Sequence, residues 1–146
     1  MHDDEIEAAL ADLIPRSFRG YRRRMAQRLQ IGDLPPHQAR ALRMIERDGP
    51  MRAGELARRL RIAPRSATEV IDGLADRELV CRKPDPIDRR AMIVEVTDAA
   101  EAVLARTDAM RRAVIHDYTN GMSAADRREL VRLLTRLVDE PDCLPT

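Results

Sequence analysis

The spacing of the apolar residues is the feature that most constrains how this chain can fold. Over most of the sequence apolar residues recur at intervals of three and four, which predicts amphipathic helices. One stretch departs from that spacing. There two short β-compatible runs, Leu79–Lys83 and Ala91–Val96, flank the polar segment Pro84–Arg90, whose composition is typical of a hairpin tip. The sequence therefore predicts a mainly α-helical fold with one small β-hairpin.

Two short helical segments stand directly before the hairpin. Residues 53–60 place their apolar positions on one face, and the turn 61–63 follows. Pro64 suits the first position of a second helix, because its φ is fixed and it has no backbone N–H to leave unpaired. That helix runs to about Arg77, with an inward face of Ala67, Val70, Ile71 and Leu74. Two helices joined by a three-residue turn form a helix-turn-helix unit.

Two helices are predicted before this unit. The first covers residues 4–30, where Pro15 should kink or restart it, and it ends at Gly32. The next begins at Asp33–Pro36 and stops near Asp48–Pro50.

Two long helices are predicted after the hairpin. One runs from a Thr97 cap to about Asn120, and the other begins at Ser123 with Asp126 at the third position of a shortened capping box. Long apolar stripes without aromatic residues more often face other helices, including those of a second chain.

The charge balance gives no general support for a nucleic-acid partner. The 146 residues include 26 basic and 25 acidic ones, a net charge of +1, so the strong positive excess of a non-specific DNA-coating protein is missing. The distribution is uneven, however: residues 16–30 hold six arginines and no acid, and residues 52–90 hold ten basic and seven acidic residues. A basic face can therefore exist on a nearly neutral chain, and the length suggests one domain.

The sequence offers little for catalysis or metal binding. It has no nucleophile motif, phosphate-binding glycine loop or paired metal ligands, so we expect neither an enzyme nor a cofactor. Cys81 and Cys143 are too few for a disulfide framework, and Cys81 is expected to be a half-buried packing residue rather than a redox switch. Without an apolar membrane span or a basic leader, a soluble cytoplasmic protein is expected.

The order of a helix-turn-helix, a hairpin with an arginine tip and two long helices closely resembles the MarR (multiple antibiotic resistance regulator) family. The resemblance covers about residues 18–138, and its most specific part is the wing, Leu79–Arg90, with the pattern Asp-Pro-x-Asp-Arg-Arg. It is also carried by Leu34-Pro35-Pro36-His37-Gln38, Glu55-Leu56-Ala57, Val70-Ile71-Asp72-Gly73-Leu74 and Val96-Thr97.

The resemblance implies a single MarR-like domain over residues 1–146. A winged helix-turn-helix DNA-binding region would occupy about 34–97, and dimerisation helices about 4–30 and 98–139. It further implies a homodimer that binds an inverted-repeat operator in double-stranded DNA, with the second helix of the helix-turn-helix in the major groove and the wing at the minor groove. Many members respond to small, often aromatic, anionic ligands, so a ligand-responsive repressor is expected.

The residues expected to read DNA bases lie on the outward N-terminal face of this recognition helix: Arg65, Ser66, Thr68 and Glu69. Arginine can pair bidentately with guanine, glutamate can accept from the cytosine amino group, and a hydroxyl can bond base or phosphate. The alternative is that Arg65 and Glu69, four residues apart, only pair with each other on a solvated face.

The wing residues expected to contact DNA are Asp88, Arg89 and Arg90. Asp88 can fix the guanidinium of Arg90 by charge-assisted hydrogen bonds, and one of the two arginines would extend into the minor groove. The resemblance favours Arg90 as the anchored residue, whereas Arg89 is as suited to phosphate. The alternative is a solvated turn with a surface ion pair.

Two further groups are less specific. Residues expected to contact phosphate are His37, Gln38 and Arg61; for His37 a capping role stays open, and a metal ligand is the less favoured alternative. Residues that could line an anionic-effector pocket are Arg16, Arg19 and Arg23, for which a solvated or dimer-bridging face is the alternative.

Three positions depart from the family pattern. Ala63 stands where a serine usually caps the recognition helix, which forgoes a hydrogen bond worth roughly 1 kcal/mol. Glu78 stands where glycine is common, so a residue with a Cβ is expected to adopt a positive φ. Gly73 is expected to interrupt the recognition helix. Together these departures suggest a helix that becomes firmer on DNA.

Overall fold

Six helices and one antiparallel hairpin make up the part of the chain that the computed structural model describes, residues 2–30 and 33–139. In chain order the elements are α1 (Asp3–Arg28), α2 (Pro36–Asp48), α3 (Ala53–Leu60), α4 (Pro64–Asp76), β1 (Val80–Pro84), β2 (Met92–Val96), α5 (Asp98–Tyr118) and α6 (Ala124–Asp139). The predicted fold class is confirmed. Gly32 and Cys143, which were singled out in the sequence, lie outside the described residues.

The chain forms two compact units. The helical unit comprises the described residues in 1–25 and 112–146, and the winged unit comprises those in 26–111. The region predicted to bind DNA, residues 34–97, therefore belongs to the winged unit.

The core of the winged unit is formed by the inward faces of α2, α3 and α4. Its largest fully buried side chains are Leu34, Leu42, Ile45, Leu56, Ile71 and Leu74. Leu42 and Ile45 in α2, and Ile71 and Leu74 in α4, stand three residues apart, which places each pair on one face of its helix. The hairpin contributes Val80 and Val94 to the same core. This packing fixes the rotation of α4 and thereby decides which of its residues face outward.

The hairpin pairs β1 with β2 in antiparallel register, with Val80 opposite Val96 at its base. Each strand begins one residue later than predicted. A further pairing was not predicted: the N–H of Met51 donates to the carbonyl of Val94 (3.2 Å), and the N–H of Val94 donates to the carbonyl of Met51 (2.8 Å). These two bonds attach β2 to the segment that precedes α3.

Local signals at the helix ends agree with the structure. The N–H of Asp126 donates to Ser123 Oγ (3.1 Å) and the N–H of Ser123 donates to Asp126 Oδ2 (3.2 Å), so the capping box of α6 is confirmed. Ala63 supplies no side-chain cap to α4, and Glu78 adopts a φ of 58° as expected. Thr97 was predicted to cap α5; its hydroxyl donates to the carbonyl of Glu78 (2.6 Å), which ties the end of β2 to the turn that follows α4.

Helix α1 continues through Pro15, so the predicted restart at that residue is wrong. Pro15 lacks the N–H that would bond the carbonyl of Ala11. Ala11 is exposed, so water can hydrate that oxygen. One missing backbone hydrogen bond on a solvated surface does not end a helix of 26 residues.

The prediction that Gly73 interrupts the recognition helix is also wrong, because α4 is unbroken from Pro64 to Asp76. A Cβ at Gly73 would lie 2.4 Å from Nε2 of Gln38, a residue of α2. Gly73 therefore allows the Gln38 side chain to approach the backbone of α4. A glycine in a helix interior costs about 1 kcal/mol relative to alanine, which does not interrupt a helix whose inward side chains Ala67, Val70, Ile71 and Leu74 are buried.

Candidate nucleic-acid interface

The N-terminal half of α4 presents a polar outward face. Because Ala67, Val70 and Ile71 are buried, the side chains between them point to solvent. Arg65 is 91% exposed, and its Nε donates to Glu69 Oε1 at 3.2 Å.

This ion pair is the alternative that the sequence left open for Arg65 and Glu69. An ion pair so exposed is weak in water, so it does not prevent either side chain from meeting a base. The two hydroxyl residues lie on the same turn of helix: Thr68 is exposed and donates to the carbonyl of Pro64 (3.2 Å), and Ser66 is half-buried.

The three residues expected to contact phosphate differ in their placement. His37 is exposed at the start of α2, and Arg61 ends α3 in the left-handed conformation, with a φ of 55°. The amide of Gln38 lies against Gly73, and its Oε1 is buried without a hydrogen-bond partner among the described residues. For Gln38 this placement favours packing between α2 and α4 over the predicted phosphate contact.

The wing is anchored by a carboxylate that the sequence analysis did not single out, that of Asp85. Its side chain is buried; Oδ1 accepts the N–H of Ile87 (2.8 Å), and Oδ2 accepts Nε (2.7 Å) and Nη2 (2.6 Å) of Arg52. The hydrogen bond from the Ile87 N–H, followed by those from Arg52, lowers the pKa of Asp85 below its ordinary value. Asp85 thus holds the tip of the hairpin to the residue that precedes α3.

The predicted ion pair between Asp88 and the Arg90 guanidinium is present, but it is long. Asp88 Oδ1 accepts the backbone N–H of Arg90 at 3.2 Å, whereas the guanidinium Nε of Arg90 is 3.5 Å away. The Arg90 side chain is 95% exposed. Asp88 therefore shapes the backbone of the tip and leaves the guanidinium of Arg90 largely solvated, as that of its exposed neighbour Arg89 is expected to be.

Two ion pairs brace the strands of the wing. Arg82 on β1 pairs with Asp72 on α4, which connects the hairpin to the recognition helix. Across the strands Lys83 Nζ lies 2.6 Å from Glu95 Oε2, and this hydrogen bond raises the pKa of Lys83. The half-buried Cys81 stands opposite Glu95 in the same ladder.

The pKa of Asp85 leads to a prediction about stability. Because the folded state lowers this pKa, ionised Asp85 stabilises the fold above its unfolded pKa of about 3.9, and the stabilisation is lost as the pH falls through the folded pKa. We expect Asp85→Asn to lower Tm by a constant amount between about pH 5 and 7 and by a shrinking amount below about pH 4. Calorimetry across this range measures the difference. A difference that does not shrink in acid would contradict the anchoring role.

A second feature, in the helical unit, brings together the three arginines considered for an effector pocket. Arg16, Arg19 and Arg23 line a groove of about 1100 Å³ whose wall is formed by Leu10, Leu13, Ile14, Leu130, Leu133, Leu134 and Leu137. Arg16 donates to Asp12 at 2.8 Å. At one end Tyr118 donates its hydroxyl to the carbonyl of Ser17 (2.8 Å) and stacks under Arg24, whose guanidinium carbon is 4.6 Å from the ring centre. The groove is thus apolar with a cationic rim.

Other kinds of site find no support in the described part of the chain. Residues 2–30 and 33–139 contain no cluster of three or more His, Cys, Asp or Glu side chains that could hold a metal ion. None of the helices described there has the length and apolar character needed to cross a membrane.

Comparison with known proteins decides the family. A model of the MarR family matches residues 34–92. The helix-turn-helix transcriptional regulator ML2140 of Mycobacterium leprae is 36% identical over 108 residues, which span 70% of this chain and 74% of the relative. The chain belongs to the MarR family. It is a DNA-binding transcriptional regulator with a winged-helix fold.

Solved structures of MarR-family proteins share the fold. A MarR mutant from E. coli in complex with operator DNA superposes with a TM-score of 0.73 at 21% identity, covering 94% of this chain and 99% of that one. BpsR from Bordetella bronchiseptica, whose DNA binding is regulated by 6-hydroxynicotinic acid, superposes with a TM-score of 0.75 at 21% identity, covering 90% of this chain and 94% of that one.

Proposed function

We propose that the protein is a ligand-responsive repressor that binds an inverted-repeat operator as a homodimer. The observation that carries this proposal is that one unit presents exposed Arg65 on the recognition helix and exposed Arg89 and Arg90 on an anchored hairpin. Guanidinium groups suit both targets, the guanine edge in the major groove and the negative potential of a narrow minor groove. Ser66, Thr68 and Glu69 would complete the major-groove contacts, and His37 and Arg61 would contact phosphate.

The exposed apolar surface of the helical unit supports the homodimer. Six side chains along α1 and α6 are between 48% and 60% exposed: Leu10, Leu13, Ile14, Leu133, Leu134 and Leu137. Large apolar side chains that are exposed together along two helices and line one groove mark an interaction site. A second copy is the occupant we propose, because a two-fold contact would cover the same residues on both chains and would relate two recognition helices by symmetry.

Two-fold related recognition helices imply a particular operator. They must enter successive major grooves on one face of the duplex, so the centres of the two half-sites should lie about 10–11 bp apart. Selection from a random-sequence duplex pool with purified protein should return such an inverted repeat. Inserting about 5 bp between the half-sites turns one of them to the opposite face and should weaken binding strongly. Unchanged affinity after the insertion would contradict the two-fold arrangement.

The arginines of the groove support a small anionic effector. Arg16, Arg19 and Arg23 lie beside the apolar wall that the second copy would cover, and guanidinium groups next to apolar side chains suit an aromatic carboxylate at the edge of that contact. We take 6-hydroxynicotinic acid as the first probe, because it regulates DNA binding in BpsR. A titration that compares the wild-type protein with Arg19→Ala would test this assignment.

Repression would follow from occupancy of the operator. A dimer that fills two major grooves and the adjoining minor grooves excludes other proteins from the same DNA face. Transcription in vitro from a promoter that carries the selected operator should therefore fall as protein is added. An increase in transcript would show activation and would contradict this part of the proposal.

A further inference from the structure

Ile87 is the most exposed large apolar side chain of the described residues, with 94% of its surface accessible. It stands at the tip of the wing. The only other exposed large apolar residue described in the winged unit is Met92, at 48%. The apolar groove of the helical unit does not include Ile87, so the proposed dimer contact does not account for it.

The backbone at Ile87 is held by hydrogen bonds. Its N–H donates to buried Asp85, which is itself bound by Arg52. Two further bonds close the tip, from the N–H of Asp85 to the carbonyl of Ala91 (2.9 Å) and from the N–H of Ala91 to the carbonyl of Asp88 (2.9 Å). A β-branched side chain on a fixed backbone has few rotamers. The wing therefore presents Ile87 in a defined direction.

The neighbours of Ile87 favour one kind of surface for it. Arg89 and Arg90 are both exposed close to it in the chain. A protein or membrane that covered Ile87 would gain little apolar area and would have to accommodate two cations. The minor groove of DNA has the complementary arrangement, with apolar deoxyribose walls between two rows of phosphates, and it accepts apolar side chains.

We propose that Ile87 is itself a DNA contact of the wing and packs against deoxyribose in the minor groove, while the nearby arginines bind phosphate or the groove floor. This inference rests on the proposed function, because it requires the wing to lie at the minor groove. It also gives the wing a steric preference for A·T pairs. The 2-amino group of guanine projects from the groove floor and would narrow the space for the side chain.

The test uses the duplex that the wild-type protein selects from a random-sequence pool. Fluorescence anisotropy compares the wild type with Ile87→Asn, whose asparagine suits a turn, and with Ile87→Leu, which keeps the apolar area. We expect Ile87→Asn to weaken binding about tenfold and Ile87→Leu by less than about threefold. The slope of log K against log salt should be equal for all three proteins, because no phosphate contact is lost. Tm should not change, because the side chain is solvated.

A modified duplex locates the contact. Replacing adenine by 2,6-diaminopurine in the A·T pairs that flank the half-sites adds an amino group to the minor-groove floor. This duplex should bind wild-type protein more weakly than the selected duplex does, and the difference should be smaller for Ile87→Asn.

The outcomes separate this inference from the function on which it rests. If Ile87→Asn binds the duplex with wild-type affinity and Arg90→Ala binds it more weakly, the inference is overturned, but the wing still contacts the DNA. Wild-type affinity in both variants would show that the wing does not contact the DNA. Failure of the wild-type protein to select any duplex would overturn the proposed function and the inference with it.

Discussion

Leu134→Asp is expected to make the protein a stable monomer and to weaken operator binding by about 100- to 10 000-fold. Leu134 lines the apolar groove and is 49% exposed in the single chain. If a second copy covers the groove, each dimer would bury two carboxylates among the leucines of the contact, which is strongly unfavourable. A monomer then reaches only one half-site and loses the high effective concentration with which the second half of a dimer binds.

The adjacent residue of α6 provides the matched control. Thr135 is exposed and does not line the groove, so Thr135→Asp adds the same charge to the same helix outside the proposed contact. Sedimentation equilibrium at micromolar concentration should find Thr135→Asp and the wild type dimeric and Leu134→Asp monomeric, with unchanged helical circular dichroism. A dimeric Leu134→Asp protein would show that the interface lies elsewhere. A monomer with wild-type affinity would contradict two-fold operator binding.

Much of the fold follows from signals that act over a few residues. The apolar spacing predicts each helix, and Ser123 and Asp126 form the cap of α6 that their spacing predicts. Glu78 adopts the positive φ expected for its position. These predictions succeed because the physical cause lies within one helical turn or one tight turn of the chain.

Apart from the restart predicted at Pro15, the errors arise where distant segments meet. Gly73 weakens a helix by local propensity, but the side chain of Gln38, 35 positions earlier in the chain, packs where a Cβ would lie, and α4 stays intact. The pairing of Met51 with Val94 likewise joins segments that are far apart in sequence. Sequence patterns of single elements carry no information about such contacts.

The wing shows both situations side by side. Asp85 and Asp88 both precede an N–H two residues later, and both accept it, as aspartate does in turns. The sequence favoured Asp88 as the anchor because Arg90 is close in the chain. Asp85 is the stronger anchor because its side chain accepts a hydrogen bond from Arg52, the residue before α3. Arg52 is 33 residues away from Asp85 in sequence.

Removing Arg65 from the recognition helix and removing Arg90 from the wing should change DNA affinity and base preference in different ways. Arg65→Ala should cost roughly 1–3 kcal/mol on the selected operator and relax discrimination at one base pair per half-site, because it removes a donor pair aimed at a base edge. Arg90→Ala should weaken binding to many sequences alike and reduce any preference for A·T-rich flanks, because the minor groove carries little base identity.

A panel of operators, each with one substituted base pair, measures this difference at fixed salt. Asp88→Ala serves as an intermediate variant, because it removes the hydrogen bond to the backbone of Arg90 but keeps the Arg90 guanidinium. Its loss of affinity should follow the same pattern across the operators as that of Arg90→Ala and should be smaller. Arg65→Ala should leave the response to flanking A·T pairs intact, because α4 is unbroken and the wing is anchored through Arg52 and Asp85 rather than through Arg65. If Arg65→Ala lowered all affinities evenly while Arg90→Ala changed the preferred base in the major groove, the two roles would be reversed.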